Sequence, residues 1–283
     1  MCLCVCIVGI DGSGKSTISA RLPLLVAGEL HLRVGLTGEI FAVVEAQHNQ
    51  AADPHPSRLP WTAACARTLR WLAKRFVNNR RIYPLFKMAQ LLLQDATAKK
   101  MIERYRLAVL ISDGNAVLSA LGRAGNYRRP ASEGLYTRRQ SPDSRDFLQL
   151  LTFLNTDRKL PVTAKPRLPR MSTVKCLRAV SRWLNPDTVW LPDAVVFLDL
   201  TPAEALRRIK SRGRKLDRHE NLADLGQARD MYAELLRAFQ AALGPNTVLR
   251  VRVDRQTERL TLRTIVDYLG DRFSRPAECC HGT

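Results

Sequence analysis

The chain has no apolar run long enough to cross a membrane as a helix. It also lacks a basic leader, since the apolar run Leu3–Val8 starts almost at once, so no secretory signal is expected. No His/Cys set has zinc-ligand spacing, which argues against a zinc-built domain. No internal repeat is visible, so a solenoid or propeller is not expected. No motif interleaves aromatic and basic residues as nucleic-acid readers do. Acidic residues are scarce, 26 against 45 Lys and Arg.

What is present fits a globular α/β chain. Its 283 residues suffice for one large core, and 46% are apolar, which argues against wholesale disorder. There are seven cysteines. Cys2, Cys4 and Cys6 alternate, so they share one face of a strand and read as small core residues rather than metal ligands. Free-thiol usage of this kind predicts a reducing, cytoplasmic setting. The formal charge of +19 is unevenly placed. Residues 61–100 hold nine Lys/Arg and one acid, and residues 121–192 hold fourteen and five. Such a field attracts phosphorylated acceptors, nucleic acid or an acidic membrane surface; the plainer alternative is a solvated face that serves solubility.

The most informative segment is Gly9-Ile10-Asp11-Gly12-Ser13-Gly14-Lys15-Ser16. It follows an apolar strand pattern and precedes a helical one, as a phosphate-binding loop requires. Glycines let the backbone curl so that N–H groups converge on phosphate oxygens. Lys15 then reaches the outer phosphates and the Ser16 hydroxyl ligates Mg²⁺.

Further strands are predicted at 32–37, 107–112, 194–200 and 248–253, separated by helical patterns. Pro23 is expected to kink or shorten the first helix. From Trp61, apolar residues at 61, 64, 65, 69, 72 and 76 predict an inward face, with Arg67, Arg70 and Lys74 opposite. Further helices are predicted at 84–106, near 144–155, at 171–184, at 222–243 and after Thr257. Thr201 and Glu204 have capping-box spacing at the start of another. Alternating strands and helices predict a parallel sheet covered on both faces, with ligands at the carboxyl ends of its strands.

Asp113 closes a predicted strand, where a carboxylate would hold Mg²⁺ directly or through water; capping the following helix is the alternative. Glu39 also follows a strand and could be a general base, an acceptor ligand or a surface acid. Asp199 reads as a capping or loop-ordering residue. The segment 207–220 carries several arginines and predicts a lid closing over ATP, against a solvated helix end.

These motifs together resemble the thymidylate kinase family of nucleoside monophosphate kinases. The resemblance rests on Gly9–Thr17, on Pro192–Pro202 with Ala205, Leu206, Arg208, Arg212 and Gly213, on Leu216–Glu220, and on Val253-Asp254. It covers roughly 1–20 and 190–270. It implies a P-loop kinase sandwich whose five-stranded parallel sheet has the order 2-3-1-4-5, with helices on both faces. It implies one domain over 1–272, with basic insertions at about 50–90 and 123–192, a lid at about 211–221 and a tail at 273–283. It implies ATP and Mg²⁺. By the same resemblance, Gly12, Ser13, Gly14, Lys15, Ser16, Thr17, Arg208 and Asp254 contact the donor nucleotide. Arg214 and Arg218 are the catalytic lid arginines, beside Lys15 and Glu39. Ser16 and Asp113 are the expected metal residues, and Asp11 and Glu39 are expected to face the acceptor, with Arg123, Arg128 or Arg129 as substitutes for acceptor-side arginines that the chain lacks.

Three departures fall on the acceptor side. Gly38-Glu39-Ile40 stands where the family has Arg-Glu-Pro, Asp113-Gly114 where it has Asp-Arg, and Gln94-Asp95-Ala96 where a base-reading arginine is expected. The sequence therefore predicts an ATP-dependent phosphotransferase with an anionic acceptor, nucleotide-type by default, and dTMP as a poor one. The alternatives are a glycan or lipid-linked acceptor, or a nucleotide-gated protein that binds nucleic acid or anionic membrane. A homodimer is left open.

Overall fold

A computed structural model describes residues 2–38, 41–45, 61–76, 79, 82–122, 179, 191–213, 216–217 and 220–274. The predicted helix at 144–155 lies outside the described residues, as do that at 171–184 apart from Ala179, which is helical, and the 273–283 tail beyond Ser274.

The apolar run at the start forms β1, Leu3–Gly9, and the glycine-rich loop leads into α1, Lys15–Leu30. Then come β2, Val34–Thr37, and β3, Ala42–Val44. Two helices follow, α2 at Trp61–Arg75 and α3 at Ile82–Tyr105. They precede β4, Val109–Asp113, and α4, Ala116–Gly122. The C-terminal part holds β5, Ala194–Asp199, α5, Pro202–Lys210, and α6, Leu222–Leu243. It ends with β6, Val248–Arg252, and α7, Glu258–Ser274.

The strands form one six-stranded sheet in the order β3-β2-β4-β1-β5-β6. This corrects the expectation of five strands, all parallel. The added strand is β3, which pairs antiparallel to β2 with Val34 opposite Val44 and Leu36 opposite Ala42. A run of three residues is too short to give a periodic signal, and β3 lies at the edge of the sheet. The other neighbours in the sheet are parallel.

Strand alternation sorts the core. Val5 and Ile7 of β1 point to the layer of α1 and α7, where Ile18, Leu22, Val26, Ile265 and Leu269 close over them. Cys6 and Val8 point the other way, toward α3, α4 and α6, with Met88, Leu118 and Phe239. Cys4 points the same way, into the cluster of α2 and α3. Cys4 and Cys6 are buried free thiols, as the alternation predicts.

α1 runs through Pro23, which is itself buried, and reaches Leu30, so the proline does not end the helix. Two local expectations are corrected. The capping box at α5 does not form: Thr201 makes no side-chain cap, and the Glu204 carboxylate is held by Arg207 and Arg208 instead. Asp199 neither caps nor orders a loop. Its buried carboxylate accepts from Arg229 on α6 at 2.6 Å and from Arg250 on β6 at 2.6 Å, tying β5 to both neighbours. Burial pushes the Asp199 carboxyl up, but the two guanidinium groups outweigh it and hold it below the usual range.

Candidate functional site

The loop from Gly9 to Gly14 sits at the carboxyl end of the central strand. At Gly12 φ is +84°, and a Cβ there would lie 2.8 Å from the Ala205 carbonyl oxygen, so only glycine fits against α5. Gly14 precedes α1 without a side-chain cap, and the first turn carries no acid. The first-turn N–H groups and dipole of that helix end therefore face the loop, as anion binding requires. The Ser13 hydroxyl is buried and has no partner. Lys15 Nζ donates to the Ile10 carbonyl at 2.8 Å and lies 3.9 Å from Asp11 Oδ1.

The parallel register of β1 and β4 places Asp113 beside this loop. Ser16 Oγ donates to Asp113 Oδ2 at 3.2 Å, across 97 residues of sequence. Gly38 lets Asp113 sit there, since a Cβ on Gly38 would come 2.8 Å from Asp113 Cβ. This is a physical reason for glycine at one of the acceptor-side departures.

A cleft of about 410 Å³ opens beside the loop. It is lined by Asp11, Gly12, Gly14, Lys15, Ser16 and Thr17 around the loop, and Asp113 joins them. Arg70 of α2 and Lys87, Gln90 and Gln94 of α3 line it as well. Spacings of three and four put these α3 residues on one helix face. Lys87 Nζ donates to Gln90 Oε1 at 2.9 Å, and Gln94 Nε2 is buried without a partner. Arg70 is half-buried; burial lowers its pKa, and the Asp113 carboxylate works against that. The sequence pattern assigned Arg70 to a solvent face and gave no role to Lys87, Gln90 or Gln94. The 87/90/94 spacing was the signal available.

Behind the cleft, Asp95 is buried and accepts from Asn115 Nδ2 and from the Ala116 N–H, both at 3.2 Å. Asn115 Oδ1 in turn caps α4 through the N–H groups of Val117 and Leu118. Burial pushes the Asp95 carboxyl up to about 8, against the Ala116 N–H and Lys99, which lower it. The unfolded chain ionises near pH 4, so over pH 4–8 the folded state binds the extra proton. Stability should fall as pH rises through that window, by at most about 1.4 kcal/mol per pH unit. Asp95→Asn removes this ionisation, so its melting temperature should gain on wild type as pH moves from 5 to 8. A difference that does not change with pH would contradict the assignment.

Arg208 and Val253 also meet, Arg208 Nη2 donating to the Val253 carbonyl at 3.0 Å beside Asp254. Neither Arg208 nor Asp254 lines the cleft. Of the expected lid, Arg212 reaches the cleft wall. Its far end is closed by the buried Glu220, whose Oε2 accepts from the Asp217 N–H at 2.7 Å. Glu39, Arg123, Arg214 and Arg218 lie outside the described residues.

No known family's sequence profile matches the chain, and no curated protein does. Among solved structures, the chain is similar to a deoxyadenosine kinase from M. mycoides with the products dCMP and a flexible dCDP bound. The identity is 14% and the TM-score 0.46, over 95% of this chain and 100% of that one. A second structure, of the deoxyadenosine kinase from M. mycoides with dATP bound, gives 13% and 0.44 over the same shares. Likeness at this level carries no inference about activity.

Proposed function

We propose that the chain is an ATP-dependent phosphotransferase that transfers the terminal phosphoryl group to an anionic, nucleotide-type acceptor. The observation that supports this best is the pairing of Ser16 with Asp113 beside Lys15, at the open N-terminus of α1. Loop N–H groups and Lys15 would hold the donor phosphates. The Ser16 hydroxyl and Asp113 carboxylate are hard oxygen donors and fit Mg²⁺. Among the described residues no group of three or more His, Cys, Asp or Glu could hold a metal, so Mg²⁺ would arrive with the nucleotide. When bound it would neutralise phosphate charge.

The acceptor would enter from the α2 and α3 side. Arg70 and Lys87 supply the cations missing at Gly38 and Gly114, and the Gln90 and Gln94 amides orient the rest of the molecule. For a hydroxyl acceptor, Glu39 would take the proton. Arg214 and Arg218 would complete the lid that Arg212 begins. The one-domain reading over 1–272 belongs to the same proposal.

Steady-state kinetics with the best acceptor from a screen of nucleoside monophosphates, nucleosides and sugars test this arrangement. Arg70→Ala should raise the acceptor KM by about 10- to 100-fold, through loss of a charge-assisted contact, and leave the ATP KM unchanged. dTMP should rank low in the screen. An equal rise in both KM values would remove Arg70 from the acceptor side.

A further inference from the structure

α2 presents its bulkiest side chains to solvent. Trp61 is 68% exposed and Trp71 64%. This corrects the expected inward face at Trp61, Ala64 and Phe76, which are exposed, while Cys65 and Leu69 do pack against the core. Thr62, Ala63, Ala66 and Ala73 are the fully buried residues, and Thr97 Oγ1 of α3 donates to Thr62 Oγ1 at 2.8 Å. Small residues bring α2 close to α3 and leave no room there for indole rings.

The exposed residues Trp61, Ala64, Arg67, Thr68, Trp71, Lys74 and Arg75 fall on one arc of about 140° at 100° per residue. The two indoles are about 15 Å apart along the axis. No Asp or Glu occurs from residue 54 through 94. Lys100 of α3 extends the patch, with its Nζ 5.5 Å from the Trp61 ring centre. None of the five residues Trp61, Arg67, Trp71, Lys74 and Arg75 lines the cleft.

A single exposed apolar residue needs no explanation. Two indoles on one face, flanked by three cations and no acid, match a helix that lies in an anionic lipid interface. A second copy of the chain would bring the same positive stripe and repel it. A nucleic-acid strand is held in a groove lined with aromatics, whereas this stripe runs along the convex side of a helix.

We propose that the outer face of α2 docks on an anionic lipid bilayer. Trp61 and Trp71 seat among the headgroups, and Arg67, Lys74, Arg75 and Lys100 meet the lipid anions. The docking is independent of the chemistry in the cleft.

The test is sedimentation of the full chain with phosphatidylcholine vesicles, with and without phosphatidylserine. It is paired with quenching of tryptophan fluorescence by brominated acyl chains. The chain should bind the anionic vesicles and leave the neutral ones. Arg67→Gln/Lys74→Gln/Arg75→Gln should weaken binding on the order of 100-fold. A control with equal charge removed elsewhere, Arg252→Gln/Arg255→Gln/Arg259→Gln, should weaken it only about a few-fold. Trp61→Ala/Trp71→Ala should lose most of the quenching, although Trp183 and Trp190 remain. Circular dichroism of each variant should match wild type. Equal weakening by both charge variants would reduce the effect to net charge and overturn the proposal. Unchanged quenching in the double tryptophan variant would do the same. So would retention of a single-stranded oligonucleotide in place of vesicles, or self-association through Trp61 and Trp71.

Discussion

Lys15→Ala is expected to lower phosphoryl-transfer turnover by roughly 10²–10³-fold or more while the protein stays folded. In the structure Lys15 Nζ is held by the Ile10 carbonyl and lies near Asp11, so its charge is already placed at the mouth of the loop. A cation fixed in advance needs no reorganisation when charge develops on the transferring group, which is where its effect is largest. The loss should therefore appear in turnover and in catalytic efficiency together, rather than in ATP KM alone. The thermal melt should change little, because the lysine is not part of the core. Wild-type turnover in this variant would exclude the proposed role.

Asp113→Ala should give the second large effect. Asp113 accepts the Ser16 hydroxyl and stands against Gly38 at the end of β4. Removing the carboxylate frees that hydroxyl and takes away one of the two oxygen groups assigned to Mg²⁺. The Mg²⁺ concentration for half-maximal activity should rise about 10- to 100-fold. Turnover at saturating Mg²⁺ should fall by roughly 10²-fold, since the charge on the phosphates is then less well neutralised. A titration of activity against Mg²⁺ for wild type and variant separates these effects. An unchanged Mg²⁺ midpoint would mean that Asp113 only orients Ser16.

The strand–loop–helix geometry around Gly9–Ser16 was legible in the sequence because its signals are local. Gly9 to Ser16 are consecutive, and a strand before and a helix after fix their geometry. α6 was legible for a similar reason: its periodic run has the bounds Leu222–Leu243, and Asn221 caps it by accepting from the Asp224 N–H. The α2–α3 wall of the cleft was not legible because tertiary packing assembles it. Arg70 turns toward the cleft only because α2 packs through Ala63, Ala66 and Ala73. A hydrophobicity pattern gives weight to Trp61 and Leu69 and little to alanine. Asp199 shows the same limit, since its partners lie 30 and 51 residues away and leave no trace in its neighbourhood. The three residues of β3 carry no period, and local spacing alone does not show that two arginines take the Glu204 carboxylate from the Thr201–Glu204 cap.

The central claim, phosphoryl transfer at the Lys15–Ser16–Asp113 site, is tested most directly by transfer of label from γ-³²P ATP in the presence of Mg²⁺. The full chain is offered the acceptor panel, and products are resolved by thin-layer chromatography. The account predicts a labelled acceptor with the wild-type chain and essentially none with Lys15→Ala. Label that stays on ATP with every acceptor, or that moves equally well in Lys15→Ala, would contradict it.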